Sequence, residues 1–346
     1  MKPKALILTN GILLTPNAKT AHGLIRGTDR FDIAGVVDPV CAGADAGALL
    51  DGRYRNIPVM DTLENALLAV PDASHLIVGV ATVGGVFPGN MLEIVETGIR
   101  HRLSIVNGLH DYLSDRPNLA EMASIYGVSL IDIRKPKKRE DLHFWTGEIY
   151  QVKCPIVAVL GMDCAMGKRT TARMLKQACE AAGMKAQMIY TGQTGWLQGG
   201  EYGFIFDSTL NDFVSGELEH AIVSCWEETQ PDVIFLEGQS ALRNPSGPCG
   251  LEFLISGNAR KVVLLHAPKR KYYDHDPHWG EIPSVESEIE IYQKFGSEVI
   301  ALALHTEDCT TEEAYGFQTG YQQKLGIPVL LPLQEGVGPL VSAFKA

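Results

Sequence analysis

Short apolar runs alternate with amphipathic stretches along the whole chain. In the first part the runs Ala5–Thr9, Ile33–Val37, Leu76–Ala81, Ser104–Asn107 and Ser129–Arg134 predict buried strands. Between them, apolar residues recur at helical spacing over Ala18–Arg26, Leu63–Val70, Met91–His101 and Leu119–Tyr126. Such alternation builds a parallel sheet with helices on both faces, so residues 1–135 predict a Rossmann-like domain. Residues 136–152 break the pattern with Pro136 and mixed charges and predict a linker. The alternation then resumes over residues 153–346. Its strands are predicted at Ile156–Leu160, Ala186–Thr191, Val233–Leu236, Lys261–His266, Val299–Leu304 and Val329–Leu331. Its helices are predicted at Lys168–Ala182, Leu210–Glu227, Val285–Phe295 and Glu312–Leu325.

The candidate chemistry lies where the first strand of the second domain gives way to its first helix. The turn there is Gly161-Met162-Asp163-Cys164-Ala165-Met166-Gly167-Lys168, followed by Arg169 and Thr170. Strand, glycine turn, Lys and helix form the layout of a phosphate-binding loop. Backbone N–H groups at the helix start converge on one point, and the helix dipole favours an anion there. Lys168 adds a point charge. Two departures narrow the ligand. Five residues separate the glycines where the usual loop has four, and Arg169 stands where a Ser or Thr hydroxyl binds Mg²⁺ in ATP and GTP users. Thr170 is about 100° further round the helix and does not replace that hydroxyl. The loop suits a ligand whose phosphates are a handle and not the reacting group, as in coenzyme A.

Ligands of open α/β sheets sit beyond the carboxyl ends of the strands. Those ends supply Tyr190–Trp196, then Glu237-Gly238-Gln239-Ser240 with Arg243–Gly247, then His266–Lys271. Glu237 is placed as a Walker B acid is, and reads either as a Mg²⁺ organiser or as the base that deprotonates an attacking amine. Asp163 is a second candidate acid, and Gln239 a donor for an oxyanion. Arg243 and Lys271 read as clamps for substrate carboxylates. Cys164 reads as a small residue fitting the turn or, alternatively, as a nucleophile at a helix N-terminus. His275-Asp276-Pro277-His278 reads as a loop and not a metal site. In the first domain the turn after the first strand, Asn10–Pro16, is not G-x-G-x-x-G, so no dinucleotide role is read there. Asp38 nevertheless ends the second strand where a ribose-binding acid would sit.

Composition adds limits. The 346 residues are 45% hydrophobic and 21% charged, which is ordinary for a globular chain of about two domains. A net charge of −11 argues against a nucleic-acid partner, and no apolar run is long enough to span a bilayer. The N-terminal apolar run is too short for a signal peptide, so a cytoplasmic location is expected. Seven cysteines without a CxxC pair indicate neither a disulfide framework nor a zinc site. The basic run Arg134–Arg139 reads as a solvated linker, with contact to a ligand's outer phosphate as the alternative.

The loop Gly161–Lys168 is similar to that of dethiobiotin synthetase, including the extra residue and the Asp two places after the first Gly; in that family a Thr follows the Lys. The whole chain resembles the DUF1611 family more closely. The resemblance rests on Asp163-Cys164-x-x-Gly167-Lys168-Arg169-Thr170-Thr171, on Glu237-Gly238-Gln239 and on Ala18–Gly23. It implies an N-terminal Rossmann-like domain and a C-terminal P-loop domain. In one branch it implies D-glutamate N-acetyltransferase activity, with acetyl-CoA as acetyl donor.

The expected protein is thus a two-domain α/β enzyme moving acetyl from acetyl-CoA to the amine of a small acidic amino acid. The donor is expected on Gly161 and Asp163–Thr170. No metal requirement is read. The homo-oligomer is an expectation by analogy with P-loop relatives, and neither nucleic acid nor membrane is an expected partner. The alternatives are a Mg-ATP-dependent ligase or kinase resembling dethiobiotin synthetase, and a non-catalytic nucleotide sensor.

Overall fold

The computed structural model describes residues 2–345, which divide into two compact units, each built on its own six-stranded parallel sheet. The first unit is residues 1–136 together with 193–200; the second is 137–192 with 201–346. No helix among the described residues is long and apolar enough to cross a membrane.

The first sheet contains β1 (Lys4–Leu8), β2 (Asp32–Val37), β3 (Val59–Met60), β4 (His75–Val78), β5 (Ser104–Asn107) and β6 (Leu130–Asp132). Their spatial order is β3-β2-β1-β4-β5-β6, the doubly wound Rossmann order. The helices are α1 (Lys19–Arg26), α2 (Ala46–Asp51), α3 (Leu63–Ala69), α4 (Leu92–Arg100) and α5 (Pro117–Tyr126). Both faces of the sheet are covered, so Ala5, Leu6, Ile7 and Leu8 are all at 0% exposure and the strand reads as a continuous apolar run. The short α2 and the two-residue β3 lack a periodic signal of their own and escape the sequence pattern.

Asp38 corrects the ribose-binding position. It is fully buried, and its carboxylate accepts hydrogen bonds from Thr9 Oγ1 (2.7 Å), Gly11 N (2.8 Å), Leu13 N (3.0 Å), Val40 N (3.1 Å) and Cys41 N (3.1 Å). Those donors hold its proton affinity below the usual carboxylate range against the pull of burial. The side chain ties two loops together and has no lone pair left for a ribose.

The second unit runs through β7 (Ile156–Gly161), α6 (Lys168–Ala181) and β8 (Ala186–Ile189), after which α7 (Gln193–Leu197) belongs to the first unit. It continues with α8 (Asn211–Thr229), β9 (Val233–Glu237), α9 (Leu251–Ile255), β10 (Lys261–His266), α10 (Val285–Lys294), β11 (Glu298–Leu304), α11 (Thr311–Leu325) and β12 (Val329–Leu330). The sheet order is β12-β11-β10-β7-β9-β8, which places the loop-bearing β7 centrally.

The segment 193–200 lies within the second predicted domain by sequence but packs in the first unit. Leu197 is fully buried in that unit's core, Thr28 Oγ1 donates to Leu197 O (2.7 Å), and Gln198 Nε2 donates to Gly23 O (2.8 Å). The Arg30 guanidinium lies 4.1 Å over the Trp196 ring and its Nε donates to Trp196 O (2.6 Å).

Residues 137–152 are fastened along α8. Two buried carboxylates of that helix receive them. Glu217 accepts from Lys137 Nζ (2.6 Å), His143 N (2.8 Å) and His143 Nδ1 (2.8 Å). Glu219 accepts from the backbone N–H of Thr146 (2.5 Å), Gly147 (2.8 Å) and Ile149 (3.1 Å). The basic run is therefore partly consumed by the fold: Lys137 pairs with Glu217, Lys135 with Asp115 at 2.5 Å, and Arg134 donates to Gly108 O.

Candidate functional site

The site grows from the end of β7. A Cβ at Gly161 would lie 3.3 Å from Lys168 Cγ and Cδ, so the glycine lets the Lys168 stem fold back across the loop. Gly167 has φ +87°, a conformation that opens the turn into α6 without the cost a side chain would carry. Three non-glycine residues around the loop also hold positive φ: Ala165 (51°), Ser240 (34°) and Asp274 (48°). Backbone strain of this kind survives only where surrounding contacts impose it, and it concentrates at functional sites.

Lys168 is 7% exposed, and its ammonium donates to the Asp163 carbonyl oxygen at 2.6 Å. Among the described residues it forms no ion pair with a carboxylate. Burial pushes its proton affinity down.

Asp163 is fully buried, and both of its oxygens accept hydrogen bonds. Its Oδ1 accepts from Asn244 Nδ2 (2.8 Å); its Oδ2 accepts from Arg270 Nη1 (2.9 Å) and Asp274 N (2.8 Å). It therefore organises the loop. Arg270 also donates to Cys164 O (2.7 Å) and makes a bidentate pair with Glu307 at 2.5 and 2.6 Å. Burial would raise the Glu307 carboxyl, but His305 and Arg270 hold it at about 2. His305 itself stands close to the loop: a Cβ on Gly167 would be 3.7 Å from its Cδ2.

Asp163, Cys164 and Asp274 bring their potential ligand atoms within 4.8 Å of one another. They do not fit a metal. The Arg270 guanidinium already occupies the cationic position beside Asp163, and Asn244 bridges Asp163 to Asp274 Oδ2 at 3.1 Å. The Cys164 thiol lies 3.5 Å from Ser240 Oγ, and burial pushes its pKa up. That environment suits the turn-filling reading of Cys164 and disfavours a thiolate at neutral pH.

Glu237 ends β9 beside the loop, paired in register with Val159 of β7. It is 3% exposed; its Oε2 accepts from Thr191 N (3.2 Å) and its carbonyl from Thr191 Oγ1 (2.6 Å). Burial raises its pKa, with Arg169 the strongest opposing influence. Gln239 Nε2 donates to Thr191 Oγ1 at 2.9 Å, so acid, amide and hydroxyl form one cluster at the strand end.

The two expected carboxylate clamps do not join this cluster. Arg243 donates to Glu288 Oε2 (2.6 Å) and Ser287 Oγ (3.0 Å) on α10, and buried Glu288 takes its charge. Lys271 is largely exposed, paired with Glu281 at 3.0 Å and lying 5.0 Å over the Tyr272 ring. The residues of this cluster that the sequence pattern does not single out are Arg270, Asn244, Thr191, His305 and Glu307. Arg270 and Asn244 sit in the strand-end segments already noted, but nothing local marks them as partners of Asp163, 107 and 81 residues away.

Comparison with known proteins agrees with this anatomy. Residues 143–341, more than half of the chain, match the DUF1611_C model, described as a domain of unknown function, P-loop domain. Residues 39–136 match DUF1611_N, described as a domain of unknown function, Rossmann-like domain. A D-glutamate N-acetyltransferase from Pseudoalteromonas sp is 29% identical over 277 residues, 78% of this chain and 81% of its own. A D-glutamate N-acetyltransferase from Tritonibacter scottomollicae is 27% identical over 292 residues, 82% of this chain and 84% of its own. A crystal structure of a DUF1611 family protein from Anabaena variabilis ATCC 29413 superposes with a TM-score of 0.90 and 26% identity, over 99% of each chain. The chain belongs to the DUF1611 family.

Proposed function

We propose that this protein is an N-acetyltransferase that moves acetyl from acetyl-CoA to the amine of a small acidic amino acid, D-glutamate, in D-amino acid catabolism. The observation that carries the reading is Lys168: a buried ammonium whose one hydrogen-bond partner among the described residues is a neutral carbonyl, at the start of a helix on a loop of the layout that binds anions. The pyrophosphate of the donor supplies that anion. The names of two relatives, each aligned over about four-fifths of this chain, supply the reaction class and the acceptor.

In this reading residues 163–169 hold the pyrophosphate and Glu237 is the base. The acceptor ammonium must lose a proton before its nitrogen can attack the thioester carbonyl carbon. A carboxylate whose pKa is raised by burial is a better base near neutral pH than an exposed one. The new C–N bond forms first, giving a tetrahedral oxyanion, which then collapses with loss of the C–S bond, and the coenzyme leaves as its thiol after taking up a proton. Gln239 and loop N–H groups are donors available to the tetrahedral oxyanion. Asp163, held by Asn244, Arg270 and Asp274 N, acts as a positioning residue. Arg243 and Lys271 reach the acceptor carboxylates only by giving up Glu288 and Glu281.

The test is incubation of the purified protein with acetyl-CoA and either D- or L-glutamate, with N-acetylglutamate read by mass spectrometry. Product from the D-isomer alone is expected. Product from neither isomer, in a protein that binds acetyl-CoA, would reject the acceptor; no binding of acetyl-CoA would reject the donor.

A further inference from the structure

The strands β8 and β9 stay paired up to Ile189 and Leu236, which carries Thr191 alongside Glu237. Thr191 is buried and held at every polar atom. Its N–H donates to Glu237 Oε2 (3.2 Å), its carbonyl accepts from Phe206 N (2.9 Å), and its hydroxyl donates to the Glu237 carbonyl (2.6 Å). A hydroxyl has one proton, and a carbonyl oxygen can only accept. That proton is therefore spent on Glu237, and toward Gln239 the Thr191 oxygen presents lone pairs alone. The Gln239 side-chain atom 2.9 Å away must then be Nε2. The reverse orientation would set the amide oxygen against a hydroxyl oxygen with no proton to offer.

Gly192 shows what this amide faces. Its φ is not positive, so backbone conformation does not call for glycine there. A Cβ at that position would lie 3.0 Å from Gln239 Nε2 and 3.7 Å from Glu237 Oε1. The bare α-carbon thus leaves a space bordered by one amide donor and one carboxylate oxygen. Acyl transfer to an amine needs that combination: an acceptor for the proton leaving nitrogen, and a donor for the charge that appears on the carbonyl oxygen.

We propose that Thr191 is a positioning residue: its hydroxyl locks the Gln239 amide in one orientation, which makes Gln239 the oxyanion donor beside Glu237. One Nε2 hydrogen goes to Thr191, and the second serves the oxyanion in the space that Gly192 leaves open. This deepens the proposed function by naming what orients its oxyanion donor, and it rests on that reading.

The test has two readouts. The first is steady-state kinetics with acetyl-CoA and D-glutamate. Gln239→Ala should lower kcat about 10²-fold and Thr191→Val about tenfold or more, with KM for acetyl-CoA little changed. Thr191→Ser keeps the hydroxyl and should stay within about threefold of the wild type. The double variant Thr191→Val/Gln239→Ala should match Gln239→Ala to within about twofold, because Thr191 acts through the amide. Gly192→Ala, which crowds Nε2, should lower kcat about tenfold or more. The second readout needs no turnover: the ¹⁵N order parameter of the Gln239 side-chain amide. It should be about 0.85 in the wild type and Thr191→Ser, and below about 0.6 in Thr191→Val. Losses that multiply in the double variant would overturn the proposal, as would a wild-type amide as mobile as that of Thr191→Val. Absence of acetyl transfer, with the order parameters as expected, would reject the acetyltransferase reading and the oxyanion role with it, and leave the locked amide standing. If Thr191→Val does not fold, the wild-type amide still decides, because an order parameter below about 0.6 contradicts the lock.

Discussion

Lys168→Met separates stability from binding in opposite directions. The Lys168 stem packs across Gly161, and methionine preserves that apolar contact while removing the charge. In the ligand-free protein the ammonium, 7% exposed, has one carbonyl partner. Desolvating an ion costs several kcal/mol, and a hydrogen bond to a charged donor returns roughly 1.5–3 kcal/mol. The variant should therefore be more stable than the wild type without ligand, by about 1–3 kcal/mol, or roughly 2–4 °C in Tm per kcal/mol for a domain of this size. With coenzyme A the order should reverse, because losing a charged contact to phosphate weakens binding by about 10–150-fold. The pH dependence has a definite sign. A lysine whose folded pKa lies below 10.5 destabilises the fold at lower pH, and the penalty lifts as pH rises through the folded value toward 10.5. The wild type should gain stability over that window, and Lys168→Met should lose that part of the gain. Calorimetry of both apo proteins and titration with coenzyme A read these effects. A variant destabilised by more than about 1 kcal/mol, with coenzyme A affinity unchanged, would refute the reasoning and make Lys168 a structural residue.

Three further outcomes follow from the same geometry. Arg270→Met leaves fully buried Asp163 without its cation and should cost about 3–5 kcal/mol in urea unfolding, with Arg270→Lys recovering only part. Glu307, held at about 2 against an ordinary 4.5, contributes stability that is fully present above pH 4.5 and is lost as pH falls toward 2. That contribution is at most roughly 3 kcal/mol, reduced by solvent screening, and Glu307→Gln should flatten the acid limb of the stability curve. Glu237→Gln should lower kcat by about 10²–10⁴-fold with little change in KM for acetyl-CoA, and in Arg169→Thr the acid limb of the rate profile should move to higher pH, since the guanidinium that holds Glu237 down is gone.

The periodic part of the fold was readable in the sequence because each strand buried on both faces is a continuous apolar run, and each main helix has a turn of its own chemistry. Lys168, Gly167 and Glu237 were readable for a related reason: the loop and the adjacent strand end are local motifs. The residues that complete the site were not. Arg270 looks like one of three consecutive basic residues, and only the folded sheet shows that it alone points to Asp163 and Glu307 while Lys271 faces solvent. Asp38 looked like a ribose ligand by position, yet five donors from two loops consume it. Residues 137–152 carry the composition of a free linker, and no local signal announces that Glu217 and Glu219 will be buried beneath them. In each case a tertiary pairing, and not a propensity, decided the outcome.

The most direct test of the account is a crystal structure of the protein with coenzyme A. The account predicts pyrophosphate density on the backbone N–H groups of residues 163–169, with the Lys168 ammonium moved from the Asp163 carbonyl onto a phosphate oxygen. Coenzyme A bound elsewhere, with Lys168 still donating to Asp163, would contradict it.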